Sequence, residues 1–175
     1  RPWMQIPNHY VPVADNCCSI KNYPIRFHSI LPELLPVQIA GCAIHFRAVT
    51  TAAGLELVRQ AKTRGLRVTA GVTPAYFMLS ELATAGFRTF AHLSPPLRSE
   101  TDRKAVIAAI QDGTIDVIGS GHDPRGSEDK RLPFTDSAPG MSGAETLLPL
   151  TLSLVRDGVI DISRAFELLA TNPAR

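Results

Sequence analysis

Cysteine is scarce in this sequence, and the few cysteines form no metal-binding pattern. Three occur among 175 residues, and two of them, Cys17 and Cys18, are adjacent. No CxxC pair is present, and no second cluster completes a zinc-finger spacing. An odd number of cysteines without a disulfide framework is typical of a reducing compartment. We therefore expect unpaired thiols and a cytoplasmic protein.

A surplus of one charge and a long apolar run are also lacking. The chain has 18 basic and 16 acidic residues, a net charge of +2. This balance gives no electrostatic case for a nucleic acid or an anionic membrane surface as a partner. The most apolar run, residues 30–44, is short and is interrupted by Pro32, Glu33 and Pro36. We predict that the protein binds no nucleic acid and crosses no membrane.

The length of 175 residues permits one domain with a sizeable core. Because the sequence begins with Arg1 rather than Met and stops just after an Asn-Pro-Ala triplet, we expect it to be a piece of a longer chain. Prolines recur throughout residues 1–42, where they interrupt any long helix or central strand. We predict an irregular segment there, in which we recognise no family resemblance.

A regular pattern begins at Ala43, where short apolar stretches alternate with helical spacing. The predicted extended stretches are 43–49, 67–72, 88–93 and 115–118. The predicted helices begin at Thr50 or Thr51, Ser80, Ser99, Ser142 and Asp161 or Ser163, with Pro149 as a kink. Such alternation implies parallel β/α units. A closed eight-stranded barrel needs roughly 250 residues, so the alternatives are a partial barrel and a smaller open α/β sheet.

The stretch 114–143 organises the chain. An apolar strand leads into a Gly/Pro-rich polar loop that carries His122, Asp123 and Arg125. A buried strand that delivers such a loop at its carboxyl end is how α/β barrels build active sites. Further along the loop, Lys130 and Arg131 follow two acidic residues, and we predict a solvated ion cluster there.

Six ordered stretches from residue 43 onwards carry a family resemblance. They are Arg47–Thr51, Gly71–Tyr76, Ser94–Arg98, Asp112–Asp116, Gly143–Thr146 and Ala170–Ala174. In that order they resemble patterns typical of dihydroorotases, in the cyclic-amide hydrolase (amidohydrolase) superfamily, with Asp-Gly-Thr-Ile-Asp matched in full. Residues 43–175 are therefore similar to the C-terminal half of a dihydroorotase. The resemblance implies an α/β fold, a partial (β/α)8 TIM barrel with parallel strands and helices outside.

The resemblance also implies a reaction of de novo pyrimidine biosynthesis, the reversible ring closure of N-carbamoyl-aspartate to dihydroorotate. Zinc serves that chemistry because it lowers the pKa of bound water to around 7, and its ligands are histidines and carboxylates. The family's strand histidine falls on Ala48, and its loop aspartate, which also moves the proton, falls on Gly121. Neither side chain binds a metal, so the resemblance predicts that this chain binds no zinc.

The substrate-binding positions of the family fall on Ser94, Arg125, Pro139 and Gly140. An arginine at position 125 is suited to hold a carboxylate through a bidentate, charge-assisted pair. Asp123 is the candidate for the missing catalytic carboxylate, because positions 121 and 123 of an extended chain point to one side. The alternative is that Asp123 caps the turn before Pro124.

Three histidines of the barrel part remain open between packing and pocket roles. We expect His45 to face away from Ala48, since an odd offset in a strand reverses the side chain. His92 either lines the pocket beside Ser94 or is a half-buried strand residue. We interpret His122 as a packing or hydrogen-bonding residue.

Three hypotheses for function follow. The first is a catalytically degenerate dihydroorotase-like protein that acts as a structural partner, for which aspartate carbamoyltransferase is the candidate. The second is an active zinc-dependent cyclic-amide hydrolase that uses Asp123, takes its remaining ligands from elsewhere and binds a small-molecule substrate. The third is a truncated reading frame without a stable fold. Homo-oligomerisation is compatible with the first two.

Overall fold

A computed structural model describes residues 43–174, together with 10–13, 17–20, 34 and 41. The strands of these parts form one sheet in the order β1-β2-β3-β4-β5. They are β1 (Tyr10–Val13), β2 (Cys17–Ile20), β3 (Ala43–Phe46), β4 (Val68–Val72) and β5 (Val117–Ile118). β1 pairs antiparallel with β2, and the pairs from β2 to β5 are parallel.

The strand predictions are partly confirmed. β3 and β4 lie where they were expected, although β3 ends at Phe46, and β5 keeps only the last two residues of the predicted 115–118. The extended stretch predicted at 88–93 is wrong, because Thr89–Ala91 forms a 3₁₀ turn. β1 and β2 lie inside the segment 1–42, for which irregular structure was predicted. Pro12 does not prevent β1 because that strand is the outermost one described, where a missing N–H is tolerated.

The helices of the described part follow the strands. They are α1 (Ala52–Thr63), α2 (Pro74–Met78), α3 (Glu100–Gln111), α4 (Ser127–Arg131), α5 (Leu147–Arg156) and α6 (Ile162–Phe166), with a 3₁₀ turn at Glu81–Thr84 and a π turn at Glu167–Thr171. The predicted caps are confirmed at three helices. Thr51 accepts from the Gly54 N–H at 3.2 Å, Ser99 from the Asp102 N–H at 3.2 Å and Asp161 from the Arg164 N–H at 2.7 Å.

One cap prediction is wrong. The capping box expected at Ser142 does not form, and α5 begins at Leu147 after Thr146. Pro149 consequently falls in the first turn of α5, where the backbone N–H has no partner inside the helix and proline is tolerated. The short helices α2 and α4 were not predicted.

The core lies between the parallel strands and the helices that cover one of their faces. Ile44, Phe46 and Val72 point from the sheet towards these helices and are almost fully buried. The helices contribute an equally buried stripe, which consists of Leu55, Val58, Val106, Ala109 and Ile110. Residues of the other face of the strands, among them His45, Gly71 and Val117, line a cavity. One face of the sheet therefore packs on the helices, as the outer face of a barrel does, and the other face lines the cavity.

Polar contacts fix the position of β5 beside β4. Lys62 Nζ lies 2.7 Å and 2.8 Å from the two carboxylate oxygens of Asp116, and it also donates to the carbonyls of Gly113 and Thr114. Asp116 Oδ2 accepts the N–H of Ala70 at 2.7 Å. These contacts join α1, β4 and the residue before β5. In the part of the chain described, no helix has the length and apolar character needed to cross a membrane.

Candidate functional site

A cavity of about 1060 Å³ opens at the carboxyl ends of β3, β4 and β5. Parallel strands end at the same edge of a sheet, so the residues that follow each strand converge there. The family positions and Asp123 line this cavity: Ala48, Ser94, Gly121, Asp123, Arg125, Pro139 and Gly140. The fold therefore brings these residues together, while their individual roles remain predictions.

The two positions expected for metal ligands offer none. Ala48 follows β3, and Gly121 follows β5 with a positive φ of 61°. A Cβ atom on Gly121 would lie 2.8 Å from Cγ2 and 2.9 Å from Cβ of Thr73. Among the described residues, no group of three or more His, Cys, Asp or Glu side chains is arranged to hold a metal ion. The donor set of this part of the chain does not fit zinc.

Asp123 and Arg125 form an ion pair at the cavity. Arg125 Nη2 donates to Asp123 Oδ2 at 2.7 Å, and Arg125 Nε donates to the Pro139 carbonyl at 2.8 Å. The two side chains are 57% and 37% exposed, respectively. Neither alternative derived for Asp123 from the sequence included this arginine, because the pairing depends on how the loop folds back on residue 139.

Two glycines permit this close approach of backbone to backbone. A Cβ on Gly140 would collide with the Asp123 carbonyl oxygen, and one on Gly143 with the Ser120 carbonyl oxygen. The Asp123 N–H donates to the Met141 carbonyl at 2.9 Å. The chain around residues 139–143 is thus fixed along residues 120–125, and this contact sets the position of the Arg125 side chain.

No family model matches the chain. Two curated relatives are each 42% identical to it over 143 residues: a dihydroorotase of Syntrophus aciditrophicus and a dihydroorotase-like protein of Pseudomonas aeruginosa. Each match covers 82% of this chain and 34% of the relative. This segment is homologous to dihydroorotases. The chain spans about a third of the length of these relatives.

Solved structures agree with the fold. The L-hydantoinase (dihydropyrimidinase) of Arthrobacter aurescens superposes with a TM-score of 0.80 at 28% identity, covering 85% of this chain and 34% of that one. An inactive dihydroorotase-like domain of the Chaetomium thermophilum CAD-like multifunctional protein superposes with a TM-score of 0.66 at 25% identity, covering 86% and 41%. These likenesses confirm the predicted α/β fold as part of an amidohydrolase barrel.

His45 and His122 both line the cavity described above. His45 lies on the cavity face of β3, and Ala48, two residues beyond the end of that strand, also lines the cavity and packs against the core. His45 Nδ1 lies 2.8 Å from Thr69 Oγ1, and burial lowers the pKa of His45. His122 Nδ1 accepts the N–H groups of Gly143 and Ala144 at 3.2 Å and 3.1 Å. This confirms a hydrogen-bonding role, and it places the proton of a neutral imidazole on Nε2.

His92 does not line the cavity but contacts the loop that follows β5. Its ring stacks on Phe134 with centroids 4.6 Å apart, and its Nδ1 lies 2.8 Å from Ser137 Oγ. Its carbonyl accepts the Gly140 N–H at 2.9 Å. His92 is half-buried as predicted, but it follows a 3₁₀ turn rather than lying in a strand.

Two further residues that position this site were not found from the sequence. Tyr76 is buried and donates through its hydroxyl to the Pro95 carbonyl at 2.7 Å, which fixes the chain next to Ser94. Burial raises the pKa of Tyr76. Lys130, predicted as solvated, is only 5% exposed. Its Nζ donates to the Thr89 carbonyl at 3.0 Å and to the His92 carbonyl at 3.4 Å, and burial lowers its pKa.

Proposed function

We propose that residues 43–175 are part of the barrel of a cytoplasmic dihydroorotase-like protein of de novo pyrimidine biosynthesis that has lost catalysis and acts as a structural partner. The observation that supports this most is at Gly121. The family resemblance requires a carboxylate there, yet the residue has no side chain and Thr73 fills the adjacent space.

The other candidate groups do not replace what is missing. Zinc, where bound in the family, supplies an activated water, and the described residues lack a donor set for it. Asp123 is close enough to line the cavity, but its carboxylate is engaged by Arg125 at 2.7 Å. These two features together support the proposed loss of catalysis.

Loss of catalysis has a precedent among the similar structures. The Chaetomium thermophilum domain is named as an inactive dihydroorotase-like domain of a multifunctional protein. We propose aspartate carbamoyltransferase as the partner here. A surface suited to a partner is present, because Leu82, Phe87 and Phe90 are each more than 70% exposed, and large exposed apolar groups in one region mark interaction sites.

The alternative is an active zinc-dependent cyclic-amide hydrolase that uses Asp123 and ligands beyond the recognised positions. One observation favours it. The chain spans about a third of the length of a relative that is named dihydroorotase, so a protein of that full length would have room for further ligands.

The test uses the full-length protein, checked for folding by circular dichroism and supplied with zinc. We expect no hydrolysis of dihydroorotate, and we expect capture of aspartate carbamoyltransferase in a pull-down. Size-exclusion chromatography with light scattering separates this complex from a homo-oligomer. Turnover that a chelator abolishes would establish the hydrolase instead, and loss of that turnover in Asp123→Ala would assign the carboxylate. An inactive, folded protein without the partner would refute the partner role.

A further inference from the structure

We infer that an apolar patch away from the cavity binds a second copy of this chain, so that the full-length protein forms a two-fold symmetric dimer. The patch consists of Leu82, Phe87, Phe90 and Leu132, which are all exposed and none of which lines the cavity. This goes beyond the proposed function, which requires only that a surface suited to a partner exists. A carbamoyltransferase would then bind the dimer at another surface.

Phe87 has an unfavourable backbone conformation although its side chain is exposed. Its φ is 57°, in the left-handed region that bulky residues rarely adopt. Residues in such strained conformations cluster at binding and functional sites. The side chain is 79% exposed, so burial within this part of the chain does not offset the strain. Phe87 therefore presents an aromatic group of the type that is enriched in protein interfaces.

Contacts with the loop after β5 fix the patch in place. The Phe87 ring packs edge-on against the ring of Phe134, with centroids 6.3 Å apart. Lys130 Nζ donates to the carbonyl of Thr89, the residue before Phe90, at 3.0 Å. The two segments that carry the patch are thus joined before a partner binds. A surface that is already ordered loses less conformational entropy on association.

The patch has the area that a dimer requires. Phe87 and Phe90 are each more than 70% exposed, and two such rings offer roughly 300 Å² in each copy. Leu82 and Leu132 enlarge this area. In two copies that meet face to face, the four side chains approach the total of about 1,000 Å² expected of a specific interface.

The charges beside the patch are complementary to those of a second copy. Glu81 precedes Leu82, and Arg88 follows Phe87. Both charged side chains are exposed, and among the described residues neither has an ion-pair or hydrogen-bond partner. In a two-fold interface, each contact between two different residues occurs twice. Glu81 of each copy can therefore pair with Arg88 of the other, which favours a second copy as the occupant of this patch.

The test is the molar mass of the full-length protein, measured by sedimentation equilibrium over a range of concentrations. Wild type is expected to be a dimer. Phe87→Asn should raise the dissociation constant about tenfold or more, because asparagine tolerates the left-handed backbone but has no apolar ring. Phe166→Asn is the matched control, since Phe166 is also exposed but lies on α6. It should leave the dissociation constant unchanged. Circular dichroism of each variant confirms that the fold is intact.

Charge reversal tests the two-fold symmetry. Glu81→Arg and Arg88→Glu should each raise the dissociation constant about three- to tenfold, because like charges then meet across the interface. The double variant that carries both substitutions should return to the wild-type constant, since each copy then offers the exchanged charges to the other. Binding to a different protein predicts no such recovery.

Three results overturn the inference: a monomeric wild type, an unchanged dimer in Phe87→Asn, or a double variant that associates as weakly as the single ones. Capture of aspartate carbamoyltransferase is measured in parallel. If wild type is monomeric and only Phe87→Asn fails to capture that enzyme, the patch binds the enzyme, and the proposed function stands without a dimer. If wild type dimerises through the patch but captures no carbamoyltransferase, the proposed partner is refuted and the dimer is supported.

Discussion

The methyl carbon of Thr73 lies 2.8 Å from the point that a Cβ atom on Gly121 would occupy. The two residues follow adjacent parallel strands, β4 and β5, and this contact joins the two strand ends. Gly121 also has a φ of 61°, a conformation in which most side chains are strained. The family resemblance calls for a carboxylate at position 121. A side chain there is disfavoured both by the short distance to Thr73 and by the positive φ of the backbone.

Gly121→Asp should destabilise the protein by about 1–3 kcal/mol, because the new side chain must displace Thr73 and adopt a strained backbone. Urea unfolding measures this cost. In a Thr73→Ala background the same substitution should cost less, since part of the collision is removed. Gly119→Ala serves as the control, because a Cβ on Gly119 meets nothing within 4 Å. Equal costs in the two backgrounds would show that the contact with Thr73 is not what excludes the side chain.

Lys62→Met and Asp116→Asn should each destabilise the protein by about 1–3 kcal/mol, because each leaves polar partners of a partly buried, charge-assisted contact unsatisfied. The ion pair has side chains that are only 26% and 23% exposed. Chemical denaturation of both single variants and of the double variant measures the coupling. Arg156→Ala is the comparison, because that arginine belongs to an exposed pair that should contribute at most about 1 kcal/mol. Additive losses in the double variant would argue against a direct interaction.

Features fixed by neighbours in sequence were predictable. The caps at Thr51 and Ser99 depend on an N–H three residues away, and both formed where the sequence placed them. The convergence of Ala48 and Arg125 at one cavity also followed, because parallel strands deliver the residues that follow them to one edge. The family resemblance supplied the register that made these positions recognisable.

Features fixed by distant partners were not predictable. Lys130 was predicted to be solvated because its neighbours in the sequence are charged. Its side chain instead donates to the carbonyls of Thr89 and His92, which lie 41 and 38 positions earlier in the sequence. The pairing of Asp123 with Arg125 depends on the approach of Gly140, which no local pattern indicates.

Stability should fall as the pH is lowered from about 7 towards 5, in part through His45. Burial lowers its pKa below the ordinary value of 6.5. The folded state thus favours the neutral imidazole, and the unfolded state binds the proton first as the pH falls. The stability that His45 contributes is fully present above its pKa in the unfolded state. It is lost as the pH falls towards its pKa in the folded state. Unfolding titrations between pH 5 and pH 8 should show a shallower dependence in His45→Gln. An unchanged slope in that variant would exclude His45 as a source.

Lys130→Met should loosen the loop that carries Arg125. Lys130 Nζ joins α4 to the carbonyls of Thr89 and His92, and the Thr89 hydroxyl donates in return to the Lys130 carbonyl. The substitution removes the charge-assisted hydrogen bonds of Nζ, at a local cost of about 1–3 kcal/mol, while each carbonyl keeps one backbone N–H donor. Amide hydrogen exchange across residues 126–138 should therefore accelerate, while exchange in α1 stays as in wild type. Arg131→Met is the control, since Arg131 is largely exposed beside Glu128. If both variants exchanged at the same rate, the buried lysine would not be what holds the loop in place.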